Sequence, residues 1–205
     1  MFRAVGSFPH DAGARALYEG TLGWIMSDAQ YNLDRLNILV LDDNRNMRVL
    51  IKSILFALGV RKLHGAHDVK QAFRDIQYFH ADIVITDWHM EPLNGLDFVH
   101  MVRSDENSPN PYVPIIMLTG HTELPRVCEA RDAGVNEFLA KPISAKALYS
   151  RLASIIEHPR PFIRTKTYFG PCRRRRNLGA PRGMKERRAD ELEKPGNKSP
   201  RGSYA

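Results

Sequence analysis

Cysteine is nearly absent. Only Cys128 and Cys172 occur in 205 residues, far apart and without a partner pattern. That excludes a disulfide framework and a zinc-finger spacing, and fits a reducing, cytoplasmic setting. Long apolar runs are missing as well: nothing approaches the roughly 20 residues of a membrane helix. The N-terminus lacks the charged start, apolar stretch and small-residue cleavage site of a secretory signal, so neither membrane insertion nor secretion is expected. No internal repeat is present. His64 and His67 stand three apart, but with no third ligand in view they predict no metal site. An evenly spread positive charge is lacking too. The net +7 is concentrated between Arg160 and Arg201, where 14 Lys/Arg face 4 Asp/Glu for a local +10. The remaining 16 against 19 leave −3 for the rest of the chain.

What is there divides into three parts. Residues 1–33 carry scattered glycines and no sustained period, and read as an N-terminal extension with little stable structure. Within it Met26 begins a polar stretch that resembles a natural start, a second candidate for where translation begins. Residues 34–157 alternate short apolar runs with segments of helical period. The runs are 38–41, a weaker 62–64, 83–85, 113–118 and 137–140, and the helical segments are 47–58, 69–79, 96–103, 123–133 and 145–156. Apolar runs without polar alternation are strands covered on both faces, and five βα units in succession predict a parallel, doubly wound sheet. Residues 158–205 are basic, contain Pro and Gly, and are expected to be disordered.

The polar residues that break this pattern fall at equivalent places. Asp42 and Asp43 close the first run, Asp87 the third, Thr119 follows the fourth, and Lys141 with Pro142 follows the fifth. In a doubly wound sheet those carboxyl ends are neighbours, so three carboxylates, a hydroxyl and an ammonium would meet in one small pocket. Taken singly each has an ordinary explanation. Asp42 and Asp43 before Asn44 could cap a helix, Asp87 could be a solvated turn acid, Thr119 a β-branched strand end and Lys141 a surface charge. Together they describe a site. Three clustered carboxylates repel, and a hard divalent cation that keeps some of its waters relieves the repulsion; Mg²⁺ is the candidate.

Over residues 36–157 this constellation resembles the receiver-domain family of two-component response regulators, the stand-alone chemotaxis-regulator type in particular. The residues carrying the likeness are Asp42-Asp43 within Leu-Asp-Asp-Asn, Asp87 within Thr-Asp-Trp-His-Met, Gly95, Thr119 within Met-Leu-Thr-Gly, and Lys141-Pro142 within Phe-Leu-Ala-Lys-Pro. The resemblance implies a flavodoxin-like sheet of strand order 2-1-3-4-5. It implies that Asp87 accepts a phosphoryl group from a histidine kinase or histidine phosphotransfer protein, and that Asp42, Asp43, Asp87 and the backbone carbonyl of His89 serve Mg²⁺. Lys141 and Thr119 would contact phosphoryl oxygens. Thr119 and Phe138 would form the switch, Phe138 reporting burial by packing alone because it has no hydroxyl. The protein would be a signalling domain whose only catalysis is its own phosphorylation and dephosphorylation, with a downstream protein bound on the 123–157 face.

Two departures from the usual pattern stand out: Pro92 lies five residues after Asp87 rather than four, and Gly120 follows Thr119 where alanine is frequent. Neither removes a reacting group. Gly95 is read as structural and Cys128 as a small packing residue. The 48 residues after Glu157 lack the apolar period of a helix-turn-helix domain, which favours a protein contact as output. The rival output is nucleic-acid or anionic-surface binding by the basic tail, with Tyr168 and Phe169 stacking on bases; it is the less favoured. Thr165–Pro171 is less random than a solubilising tail requires, and reads as a segment that folds on binding.

Overall fold

The structure is a computed structural model that describes residues 31–120, 124–165 and 167–173. Its elements alternate: β1 (Asn37–Leu41), α1 (Arg45–Ala57), β2 (Lys62–Ala66), α2 (Val69–Phe79), β3 (Ile83–Asp87), α3 (Gly95–Ser104), β4 (Ile115–Thr119), α4 (Leu124–Ala133), β5 (Glu137–Ala140) and α5 (Ala145–Glu157). The five strands form one parallel sheet in the order β2-β1-β3-β4-β5, as expected.

Strand alternation divides the core in two. Leu39, Leu41, Val84, Ile115 and Met117 pack under α2, α3 and α4, while Ile38, Val40, Ile85, Ile116 and Leu118 pack under α1 and α5. Successive side chains point to opposite faces, so a strand covered on both sides is apolar at every position. β3 and β4 are buried throughout. β2 lies at the sheet edge and is mostly half-exposed, which explains its weak sequence signal. Helix starts are set by short polar side chains: Asn44, Asp68, Asn94 and Ser144 accept hydrogen bonds from first-turn amides, and Asn94 completes a reciprocal pair with Asp97.

Two expectations about boundaries need correction. Ordered structure begins before residue 34: Leu33 is 2% exposed in the α1/α5 core, and the Tyr31 hydroxyl donates to Glu157 Oε1 at 2.6 Å. At the other end the tail does not become irregular at residue 158. β6 (Phe162–Arg164) and β7 (Phe169–Pro171) form an antiparallel pair in the register Ile163↔Gly170. The physical reason is tertiary. Phe162 and Phe169 close an aromatic cluster with Tyr112, ring centroids 5.1 to 5.6 Å apart, and Ile163 is buried. Met26 and residues 174–205 lie outside the described residues. Among the described residues no helix is long and apolar enough to cross a membrane.

Candidate functional site at the carboxyl edge of the sheet

The β3 terminus is the centre of the site. Asp87 is the last residue of the strand and 5% exposed. Its Oδ1 accepts the Trp88 amide at 2.8 Å, and its Oδ2 pairs with Lys141 Nζ at 2.8 Å. Lys141 follows β5, the Lys141 amide donates to the Thr119 carbonyl at 2.8 Å, and Trp88 N–H donates to Leu118 O at 3.0 Å. The ladder thus binds the ends of β3, β4 and β5 into one unit. Thr119, at the end of β4, is 3% exposed.

Asp42 sits one residue past β1 and is fully buried. Its Oδ1 accepts the Asn44 amide at 2.8 Å, whereas Oδ2 is buried without a hydrogen-bond partner. Burial, reinforced by the charge of Asp87, pushes its carboxyl up to about 6 against the opposing amide bond from Asn44. A buried carboxylate oxygen with an open lone pair, two residues from a capped helix and beside a second carboxylate, is a ready cation ligand. Asp43 is exposed, as is His89 on the loop after β3. Among the described residues no three His, Cys, Asp or Glu side chains are grouped closely enough to hold a metal ion by themselves. Of the side chains expected to serve a cation, Asp42 and Asp87 are the buried pair, and oxygen donors of this kind suit a hard divalent ion such as Mg²⁺. His64 and His67 are each engaged by a separate carboxylate, Asp75 at 2.8 Å and Asp68 at 3.1 Å.

Gly95 has a specific reason to be glycine. A Cβ there would stand 2.1 Å from the Asp87 carbonyl oxygen and 3.1 Å from Trp88 Cα, while the Gly95 amide donates to Trp88 O at 2.9 Å. The start of α3 is thereby pressed against the backbone that carries Asp87. Phe138 is half-buried and packs against the α2–α4 core. Arg48 was not foreseen: its guanidinium donates to the Asp42 and Asp43 carbonyls at 2.6 and 3.1 Å and fixes the acidic loop. The only signal available was a basic residue one turn into the helix that follows the aspartates. Tyr168 and Phe169, which the less favoured output would have stack on bases, are committed to the hairpin. The Tyr168 hydroxyl donates to Pro171 O at 2.7 Å, and Phe169 lies in the aromatic cluster.

Comparison with known proteins places residues 38–153 in a match to the family described as response regulator receiver domain. Chemotaxis protein CheY-3 of Vibrio cholerae is 33% identical over 122 residues, 60% of this chain and 92% of that protein. Chemotaxis protein CheY1 of Helicobacter pylori is 36% identical over 123 residues, 59% and 97% of the two chains. Among solved structures, chemotaxis response regulator CheY4 of Vibrio cholerae superimposes with a TM-score of 0.53 at 28% identity, covering 58% of this chain and 98% of that one. The Francisella response regulator 1452 receiver domain gives 0.54 at 25% identity, with 60% and 98% covered. The β6–β7 hairpin falls outside the matched family region.

Proposed function

Because the chain belongs to the response regulator receiver domain family and is a two-component signalling domain, we propose that it accepts a phosphoryl group on Asp87 from a histidine kinase or histidine phosphotransfer protein. The observation that carries this reading is the buried Asp87 carboxylate held between the Trp88 amide and the Lys141 ammonium, with the orphaned Asp42 oxygen beside it. One Asp87 oxygen forms the bond to phosphorus. The donor's P–N bond breaks, its imidazole nitrogen keeps the electron pair, and that nitrogen later takes up a proton. Asp42, Asp43, Asp87 and the His89 carbonyl would hold Mg²⁺, which supplies positive charge against the phosphoryl oxygens. Lys141 must leave Asp87 and turn to a phosphoryl oxygen, remaining a point charge in the same place. Thr119 donates its hydroxyl to another, and Phe138 follows it inward as the packing half of the switch.

Val49 and Leu50, in the first half of α1, are 57% and 47% exposed and offer apolar contact to an incoming donor. The output is a protein bound on the 123–157 face, in a cytoplasmic setting. Catalysis is confined to the domain's own phosphorylation and dephosphorylation. The alternative, nucleic-acid binding through the basic tail, loses support because Tyr168 and Phe169 are occupied by packing.

The test is intact mass after incubation with a small phosphodonor, with and without Mg²⁺, in the native chain and Asp87→Asn. A Mg²⁺-dependent adduct of one phosphoryl group, lost in Asp87→Asn, is expected. An adduct that survives the substitution, or none at all, would sink the assignment.

A further inference from the structure

Beyond α5 the chain turns back under the amino edge of the sheet and is fastened there. Arg160 donates one guanidinium hydrogen bond to Asn136 O at 2.9 Å and another to Cys172 O, while the Cys172 amide donates to Pro161 O at 2.7 Å. Arg103, at the end of α3 and 4% exposed, donates to Gly134 O at 3.1 Å, Pro111 O at 2.7 Å and Asn136 Oδ1 at 3.1 Å. Its guanidinium lies 5.1 Å from the Phe162 ring centroid. Gly170 is pressed on Gly134: a Cβ on Gly170 would stand 3.0 Å from Gly134 Cα and 2.7 Å from the Tyr168 hydroxyl. Arg173 bonds Asp132 at 3.2 Å and stacks over Tyr168 at 4.1 Å.

Three of these contacts fall on one short stretch of chain: Arg173 on Asp132 at the end of α4, Gly170 on Gly134 in the turn, and Arg160 on Asn136 just before β5; the others reach Arg103 on α3 and Tyr112 before β4. That stretch lies between the two switch residues, Thr119 before α4 and Phe138 on β5. We propose that the β6–β7 hairpin is a strap that holds the α4–β5 junction in its resting arrangement, so that release of the strap and activation at Asp87 favour one another. This rests on the phosphoacceptor reading above. With the hairpin docked, Lys141 Nζ pairs directly with Asp87 Oδ2 at 2.8 Å, the contact that a phosphoryl group on Asp87 has to displace. If phosphorylation moves α4 and β5, the strap must give way or resist, and by reciprocity a group that loosens the strap raises affinity at Asp87 by the same factor.

Beryllofluoride with Mg²⁺ provides the probe, because it imitates an aspartyl phosphate without turnover. Trp88 provides the signal, its amide bonded to Asp87 Oδ1 and its ring 6% exposed. A Trp24→Phe background removes the other tryptophan. In the full chain, Gly170→Val and Phe169→Ser are expected to release the hairpin, seen as fast amide exchange over 162–171, and to raise beryllofluoride affinity three- to tenfold. In the native chain, with no substitution, beryllofluoride should speed exchange over 162–171 by up to the same factor. Unchanged or lowered affinity in a chain whose hairpin has been released would overturn the strap, and so would native exchange indifferent to beryllofluoride. A native chain with no beryllofluoride response at all would sink the phosphoacceptor reading and the strap with it. A native response matched by both variants would sink the strap alone.

Discussion

The two edges of the sheet handle buried polarity in opposite ways. At the carboxyl edge, Asp42 and Asp87 are buried as acids, one Asp42 oxygen has no partner, and burial holds that carboxyl near 6. At the amino edge Glu137 is buried beside Arg151 and Ser154, and Arg103 is buried with hydrogen bonds that all go to neutral acceptors. Burial pulls its guanidinium down to about 9, which still leaves it charged at neutral pH. A saturated network of this sort fixes geometry, whereas an unsaturated acidic one is receptive to a cation and a phosphoryl group. The same strands carry both, so the fixed edge frames the receptive one.

Breaking the fixed edge should have the largest effect. Arg103→Met takes the side-chain donor from the Gly134 and Pro111 carbonyls and leaves the Asn136 amide oxygen with the Ile115 amide alone. A cost of about 3–5 kcal/mol is expected from the buried Gly134 carbonyl and the partly buried Pro111 carbonyl losing this donor while Asn136 loses one of two. Urea denaturation reads it, and a loss below about 1 kcal/mol would mean that water replaces the guanidinium. Next is Gly95→Ala, which drives a methyl group into the Asp87 carbonyl. Overpacking of this kind costs about 1–3 kcal/mol. Because the displaced atom belongs to Asp87, the proposed acceptor, phosphoryl adduct yield should fall alongside thermal stability; a stable loss of yield with no thermal change would separate positioning from folding.

The contrast between the edges also explains what the sequence made legible. β1, β3 and β4 announce themselves because both faces are covered, and the order of Asp42, Asp87, Thr119 and Lys141 at strand ends predicts their convergence without any distance being known. Edge strand β2 reads weakly because Lys62, Leu63, His64 and Gly65 are not fully buried. The hairpin was missed for a different reason. Its strands are three residues long, too short for periodicity, and what orders them is Tyr112 and Arg103, far away in the chain. Local composition, dominated by basic residues, suggested disorder. Leu33 and Arg48 escaped for a similar reason: a single side chain with a tertiary role leaves no pattern.

A smaller effect sharpens the receptive edge. Asp42 has a raised carboxyl, ordinarily at 3.8 and about 6 in the fold. Between those values the folded state binds more protons than the unfolded one. Without Mg²⁺, stability is therefore greatest below about pH 4 with respect to this group, and is lost as pH rises through about 6. Asp42→Asn keeps the acceptor for the Asn44 amide and removes the charge, so it should stabilise the metal-free protein at pH 7 by on the order of 2 kcal/mol. It should also flatten this part of the pH profile and weaken Mg²⁺ binding. Denaturation midpoints from pH 4 to 8 with and without Mg²⁺ test it; an Asp42→Asn chain less stable than native at pH 7 without metal would contradict the shift.

The smallest effect lies where the strap meets α4. Asp132 Oδ1 is shared by Arg131 Nε at 3.0 Å and Arg173 Nε at 3.2 Å, with all three side chains 40–44% exposed. Exposed pairs of this kind contribute about 0.2–1 kcal/mol, and salt screens them. Asp132→Asn should leave global stability within about 0.5 kcal/mol of native. Local opening of 162–171 should still roughly double at low salt, the fold-change equivalent of about 0.4 kcal/mol. In 1 M salt the native chain should exchange there as fast as the variant. A difference between the two that persists at high salt would mean that Asp132 holds the strap by hydrogen-bond geometry rather than by charge.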